Sequence, residues 1–412
     1  MKYATWFVRF WYAAWMIPAG LEHFYHIYAQ PGANSSHPLA AEMLAALLHT
    51  HLFDLVKAVE LITGIAVLFG FFTPLSLLIC MPVAFCVFWW DAPLSEWSTG
   101  SMIAGARVLG SNLLLSVAFI ASFRSMFAVR ASIAGNLQAQ KQLVLAARVV
   151  FGAWMLANGL NHFFFSFWST PAGQQPLSTE LMSALVHSQL LDVCMLIELV
   201  TGALIMLGYF VPAALCVLMA VSTSALYWAI LDHQPLSLAL GILAFALNGL
   251  LMLAYLPYYN GALQRAPLTL GESDRTSFNT LFVRAKGRTS RGDFVGALLP
   301  LALAVLWYGN KGPAVDYASW GVLVLVYPAV VLHVRRLHDM GRAGWWMLLP
   351  TVLSVLAMLV WAHRLSLGAQ LDAAVPVAAL IAFVGVALWG CLAGGQAETN
   401  ASGAPMVGGT LR

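Results

Sequence analysis

Runs of about 20 apolar residues recur along this chain, the length an α-helix needs to cross a hydrocarbon core of about 30 Å. In lipid, a lone segment satisfies its backbone hydrogen bonds only as a helix, so such runs confine the chain to a helical membrane architecture. Twelve runs can be marked: approximately 4–28, 45–70, 74–91 and 101–123; 143–167, 181–208, 212–231 and 236–257; 293–309, 317–334, 344–362 and 374–394. Composition agrees with this. Charged residues are 9% of the 412 and hydrophobic ones 61%, with a mean hydropathy of +0.80. A soluble domain carries about 25% charged residues. The sequence therefore reads as an all-α polytopic membrane protein of about twelve transmembrane helices in three four-helix bundles. Its expected partner is the lipid bilayer and not nucleic acid.

The first run carries Lys2 and Arg9 but is filled with aromatics and followed by no small-x-small cleavage site, so it reads as a retained helix and not a signal peptide. Cys80, Cys86, Cys194, Cys216 and Cys391 lie inside apolar runs without a C-x-x-C pair, which fits buried apolar cysteines rather than redox chemistry. Sidedness follows from the short loops. The 124–142 connection holds Arg124, Arg130 and Lys141. The 258–292 connection holds Arg265, Arg275, Arg284, Lys286, Arg288 and Arg291, and 335–343 holds Arg335, Arg336 and Arg342. Opposite loops hold mainly Glu42, Asp91, Glu96, Glu180 and Asp232, with Lys311 and Arg364 as basic exceptions. With twelve spans, all basic loops and both termini fall on the cytoplasmic side.

The chain also repeats itself. GLEHF at 20–24 returns as GLNHF at 159–163. Arg9, Trp15, Gly20 and His23 match Arg148, Trp154, Gly159 and His162 at an offset of 139. His49, Asp54, Glu60, Thr63, Gly64, Gly70 and Pro74 match His187, Asp192, Glu198, Thr201, Gly202, Gly208 and Pro212 at 138, and Asn112 pairs with Asn248 at 136. Each copy has four spans, an even number, so the expected repeat is parallel, about an axis along the membrane normal, and not an inverted transporter-type repeat.

Three features of these residues resemble the DoxX-like family of four-helix membrane proteins: the early arginine, the Gly-Leu-x-His helix end and IELVTGALIMLGYFVP at 197–212. The resemblance implies one DoxX-like domain over 1–135 and a second over 136–262. Named members of that family include a quinone-reducing thiosulfate dehydrogenase subunit. It thus implies a quinone-interacting, redox-associated role with an electron-donating protein partner. The last third carries RRLHDMGRAGWW at 335–346, preceded by GRTSR at 287–291, and resembles the bacterial membrane domain of unknown function 805, expected over 276–395. From 396 to 412 the chain is rich in Gly, Ala and Ser and reads as a disordered tail.

Ionisable residues inside apolar runs each cost several kcal/mol unless paired or hydrated. Counting residues from the span ends places Arg9 beside Glu60 and Arg148 beside Glu198, either as structural clamps or as functional pairs. Asp54, Lys57 and Glu60 share one helix face, and Glu22 and Arg107 add charges that the second copy replaces with Asn161 and Leu243. A ligand or proton site is therefore expected in the first copy, walled by Glu22, His23, His49, Asp54 and Lys57 with Arg107 below. His162, His187 and Asp192 form the matching rim in the second copy. Three readings of the histidines stay open: interfacial hydrogen bonding, a quinone-head or proton-transfer site, and ligation of haem or metal. No cofactor is certain from these residues, quinone ranks ahead of haem or metal, and no metal ligand is assigned. In the third domain Arg335, Arg336, His338, Asp339, Arg342, Trp345 and Trp346 fit either contact with anionic headgroups or a structural turn around Asp339. The leading function is the quinone-interacting membrane subunit. Its alternative is a non-enzymatic structural, lipid-interacting or stress-related membrane protein, and a small-solute transporter ranks third.

Overall fold

The computed structural model describes residues 1–28, 37–134, 138–169, 171–310, 316–400 and 402–403. Among them there are sixteen helices and no strand. These are α1 (Lys2–Tyr25), α2 (Pro38–His49), α3 (Leu52–Phe69), α4 (Thr73–Asp91), α5 (Thr99–Ala118), α6 (Ile120–Phe123), α7 (Gln138–Phe163), α8 (Pro176–His187), α9 (Leu190–Leu207), α10 (Val211–Asp232), α11 (Pro235–Ala254), α12 (Phe278–Phe282), α13 (Arg291–Gly309), α14 (Asp316–Asp339), α15 (Leu348–Trp361) and α16 (Ala369–Leu392). Ten are long and apolar enough to cross a membrane: α4, α5, α7, α9, α10, α11, α13, α14, α15 with its preceding turn, and α16. The protein is an all-α polytopic membrane protein. Helices α1 and α3, of 24 and 18 residues, are of spanning length but carry Lys2, Arg9 and Glu22, and Asp54, Lys57 and Glu60 respectively.

The runs at 45–70 and 181–208 are not single helices. The first breaks between α2 and α3 at His51 (φ 58°), and the second between α8 and α9 at Gln189 (φ 59°). Neither break carries Gly or Pro, so apolar periodicity runs through it unmarked. Hydroxyls stabilise the α2 and α8 ends: Thr50 Oγ1 donates to the Ala46 carbonyl at 2.6 Å, and Ser188 Oγ to that of Leu185 at 3.2 Å. The short helices α2 and α8 pack together through Ala40, Met43, Ala46, Leu181 and Ala184, over Trp89, Trp90 and Trp228. Trp89 and Trp90 thus line this cap.

Small residues set the closest helix contacts. A Cβ on Gly20 would stand 2.7 Å from Leu61 Cβ, and one on Gly64 2.8 Å from Met16 Cβ, so α1 and α3 touch backbone to backbone. Between α7 and α9, a Cβ on Gly152 would stand 2.5 Å from the Met206 nitrogen, and one on Gly202 2.4 Å from that of Leu156. Lipid offers no hydrophobic drive between helices, and close approach of this kind supplies the dispersion contact that replaces it.

Contacts between the first bundle (α1–α5) and the second (α7–α11) come in reciprocal pairs. His49 meets Glu180 at 2.8 Å, and His187 meets Glu42 at 2.8 Å. Trp89 Nε1 donates to the Ser188 carbonyl at 2.9 Å, and the Tyr227 hydroxyl to that of Thr50 at 2.5 Å. At the opposite face, the Phe72 amide donates to the Arg265 carbonyl at 3.0 Å and the Phe210 amide to that of Val129 at 3.1 Å. The Leu270 amide donates to the Ala118 carbonyl, and the Ala134 amide to that of Ala254. Exchange of equivalent contacts in both directions is the pattern of an isologous interface. The face with the histidines is called the histidine face below, and the other the basic face.

The third bundle (α13–α16) docks on α1. The Tyr308 hydroxyl donates to the Trp11 carbonyl at 2.8 Å, and Phe10 packs on Phe278 and Phe282 of α12, centroids 5.1 and 4.9 Å away. Replacing Gly202 with Ala should lower thermal stability in detergent by about 1–3 kcal/mol, because backbone stands where the methyl would go. Gly249→Ala, whose new Cβ would meet only Met219 Cε at 3.9 Å, should be neutral or stabilising by up to about 1 kcal/mol. Equal melting shifts for the two variants would contradict this packing.

Candidate functional site

Neither expected arginine–glutamate pair forms. Arg9 Nε donates to the Val67 carbonyl at 2.7 Å, and its terminal nitrogen to Thr73 Oγ1 at 3.3 Å, while the guanidinium lies 3.7 Å over the ring of Phe278. Arg9 thus closes the end of α3, where carbonyls lack helical partners. It packs on Gly70 (φ 70°), where a Cβ would stand 2.7 Å from the guanidinium. Arg148 occupies the like place beside Gly208 (φ 82°), donating to the Tyr255 hydroxyl at 3.2 Å. Register explains the miss. Gly20 lies opposite Leu61 and Arg9 opposite Val67, so Glu60 is about 10 Å further along α3 than the arginine reaches.

Glu60 pairs instead with Lys57, one turn away on α3, at 2.8 Å, and both are largely buried. Sequence reasoning missed the polar thread beside them. Buried Asn112 donates to the Tyr12 hydroxyl at 3.1 Å and to the Leu77 carbonyl at 3.3 Å. Tyr12 and Thr63 flank Cys80, which lies within electrostatic reach of Lys57 and Glu60. Asn112 and Thr63 carried a signal, through their matches with Asn248 and Thr201, whereas Tyr12 and Cys80 carried none. In the second bundle Glu198 is 6% exposed and Glu22 in the first is 4% exposed. One carboxylate oxygen of each is buried without a hydrogen-bond partner.

The expected six-residue site is not one cluster. Asp54 takes His23 at 2.6 Å and His51 at 3.0 Å. His49 leaves the first bundle for Glu180 on α8, because α2 is a separate helix that packs on α8. Glu22 has His26 nearby, at 3.9 Å. Arg107 points away from all of them, exposed on α5, its guanidinium 5.3 Å over the Trp307 ring of the third bundle. In the second bundle His162 pairs with Asp192 at 2.7 Å, and His187 reaches Glu42 on α2.

Two cavities lie elsewhere. One of about 470 Å³ runs along α1 and α13, lined by Phe7, Leu303, Leu306, Trp307 and Asn310. The other, of about 300 Å³, lies at the basic face between 266 and 284. Neither is lined by the expected site residues. Among the described residues, no three His, Cys, Asp or Glu side chains converge as a metal site.

In the third bundle the basic signature folds inward. Arg335 and Arg336 are 4% and 1% exposed, too buried to meet lipid headgroups. Asp339 takes Arg288 Nε at 3.0 Å and a terminal nitrogen of Arg336. Arg336 Nε donates to the Gly390 carbonyl at 2.8 Å, and Arg335 donates to the Thr289 hydroxyl and to the carbonyls of Arg284, Lys286 and Arg288. Backbone oxygens supply what the single carboxylate cannot, since burial of three guanidiniums demands every N–H be bonded. His338 lies 3.2 Å from the Gly287 carbonyl, whereas Arg342, Trp345 and Trp346 are exposed. The tail expected from 396 is bonded at its start. The Gln396 amide donates to the Asp339 carbonyl at 2.7 Å, and Arg288 donates to the carbonyls of Gln396, Glu398 and Gly403. The remainder, 404–412, lies outside the described residues.

Lys57→Met should destabilise the fold by about 3–5 kcal/mol by leaving the Glu60 carboxylate buried and unpaired. Adding Glu60→Leu should recover most of the loss, and detergent melting curves that rank the double variant below the single would refute the pairing. Arg288→Ala should free the 396–403 segment, raising its carboxypeptidase cleavage rate about tenfold, as hydrogen bonds to a charged group contribute about 1.5–3 kcal/mol. Cleavage at the unaltered rate would show that the segment is held by other means.

Comparison with known proteins divides the chain. No curated protein and no solved structure matches it. The segment with the buried arginine cluster and its bonded tail, residues 282–401, matches the family described as Protein of unknown function (DUF805), and the chain is a membrane protein carrying a DUF805 domain.

Proposed function

We propose that the protein is a non-enzymatic, lipid-engaging protein of the bacterial cytoplasmic membrane. In this reading two copies of one DoxX-like four-helix unit, 1–135 and 136–262, form a fused pseudo-dimer that carries the DUF805 domain. The observation that carries it is the fate of the charges inside the helices. Arg9 bonds to a helix end, Lys57 to Glu60, and Arg335 and Arg336 to backbone and to Asp339. Charges consumed in this way serve packing within and between helices and leave little for chemistry on a substrate. The reciprocal contacts support the two-copy reading, since each partner sits at the repeat's offset from its counterpart. The exposed Arg342, Trp345 and Trp346 suit the boundary between bilayer and water.

A second reading, a quinone-interacting subunit fed by an electron-donating partner, is favoured by Glu22 and Glu198. One carboxyl oxygen of each is buried without a hydrogen-bond partner among the described residues, which leaves it free to meet a bound polar group. The bound molecules decide between the two. Protein purified in mild detergent should show no Soret band and no stoichiometric quinone in its lipid extract, and one quinone per chain would replace the first reading with the second. Orientation is tested separately, in a cysteine-free background. Ser98→Cys and Gln174→Cys should react with an impermeant thiol reagent from outside the cell, and Arg130→Cys and Lys286→Cys only after lysis. The reverse pattern would invert the assigned topology.

A further inference from the structure

Arg107 stands about eight residues into α5, roughly 12 Å from the helix start at the histidine face. It is exposed, with its guanidinium over Trp307 and no carboxylate within ion-pair distance among the described residues. A guanidinium left so in hydrocarbon is costly. Its long stem lets the charge rise toward the interface while its methylenes stay in the apolar layer. Packing within the bundle does not require it: 136 residues later the chain has Leu243, also exposed, the ordinary residue for a lipid-facing helix surface. Beside Arg107 runs the groove of about 470 Å³ along α1 and α13. Phe7, Leu303 and Leu306 form its apolar wall, and Asn310, the C-cap of α13, brings an amide to its end at the histidine face. A positive charge and an amide above an apolar trough match one molecule available throughout a membrane, a phospholipid.

We propose that this groove binds an anionic phospholipid of the leaflet on the histidine face. One acyl chain lies along Phe7, Leu303 and Leu306, the phosphate meets Arg107, and Asn310 hydrogen-bonds the headgroup. Anionic lipid is preferred because no carboxylate among the described residues lies within ion-pair distance of the guanidinium, so a headgroup ammonium would bring a second positive charge to it. The site rests on the lipid-engaging reading and specifies where that engagement occurs.

Native mass spectrometry of the full chain, titrated in detergent with phosphatidylglycerol or phosphatidylethanolamine, tests it. Wild type should retain phosphatidylglycerol more tightly, and Arg107→Leu, which copies the second bundle, should weaken that lipid about fivefold while leaving phosphatidylethanolamine unchanged. Arg107→Lys should keep most of the preference. A phosphatidylglycerol with a photoreactive acyl chain should label the peptide containing 303–310, a result that stands even if Arg107→Leu does not fold. Equal retention of the two lipids by wild type, full retention by folded Arg107→Leu, displacement by inorganic phosphate alone, or absence of label from 303–310 would each overturn the site. None of those outcomes bears on the broader reading, which fails instead if quinone is bound stoichiometrically.

Discussion

Backbone contact between antiparallel helices is the constraint on which the first two bundles depend. Between lipid-facing helices apolar burial gains nothing, so association rests on how closely main chains approach. Gly20 and Gly64 permit that approach between α1 and α3, and Gly152 and Gly202 between α7 and α9. Once these helices touch, their register is fixed, and it carries Arg9 to the end of α3 and Arg148 to the end of α9. There the turns at Gly70 and Gly208 leave room for a guanidinium that a Cβ would obstruct. The same register puts Glu60 beyond the reach of Arg9 and leaves Lys57 as its partner.

Arginine serves one purpose at both ends of the chain. At Arg9, and again at Arg288, Arg335 and Arg336, a planar fork of donors gathers carbonyl oxygens that no helix satisfies. In the third bundle this draws 284–289, the end of α14, the end of α16 and the start of the C-terminal segment into one buried knot around a single carboxylate. Removing one partner from such a knot costs more than the knot contributes, because the others remain buried and unmet. Arg342, Trp345 and Trp346 stay outside the knot and exposed.

Under the two-copy reading, the second bundle serves as an internal control for the first. Where the first has Tyr12, Lys57, Cys80 and Arg107, the second has Phe151, Met195, Leu218 and Leu243. The shared frame of glycines, end-capping arginines and histidine–carboxylate pairs therefore does not need those polar side chains. Tyr12, Lys57 and Cys80 lie inward along one thread with Glu60, and Arg107 faces outward onto the third bundle. Inward and outward polar additions of one bundle thus separate into an internal network and a surface feature.

The membrane class and the family of the last domain are legible in the amino-acid string alone. Hydropathy depends on composition over about 20 residues, and the 335–346 signature is specific as a string. Under the two-copy reading the sequence also pairs residues that lie in like places, Arg9 with Arg148 and His23 with His162. What each of those residues touches was decided by tertiary structure. Breaks at His51 and Gln189, in residues that tolerate the left-handed region without announcing it, split two apparent spans and sent His49 and His187 across to the other bundle. Counting residues from a span's end gives depth but not register, so Arg9 and Glu60 could be placed in one membrane and still miss each other by about 10 Å. Burial likewise decided the fate of the basic signature. Arg335, Arg336 and Arg342 read alike as charges, and only the packing of α14 against 284–289 and α16 turned two of them inward and left the third exposed.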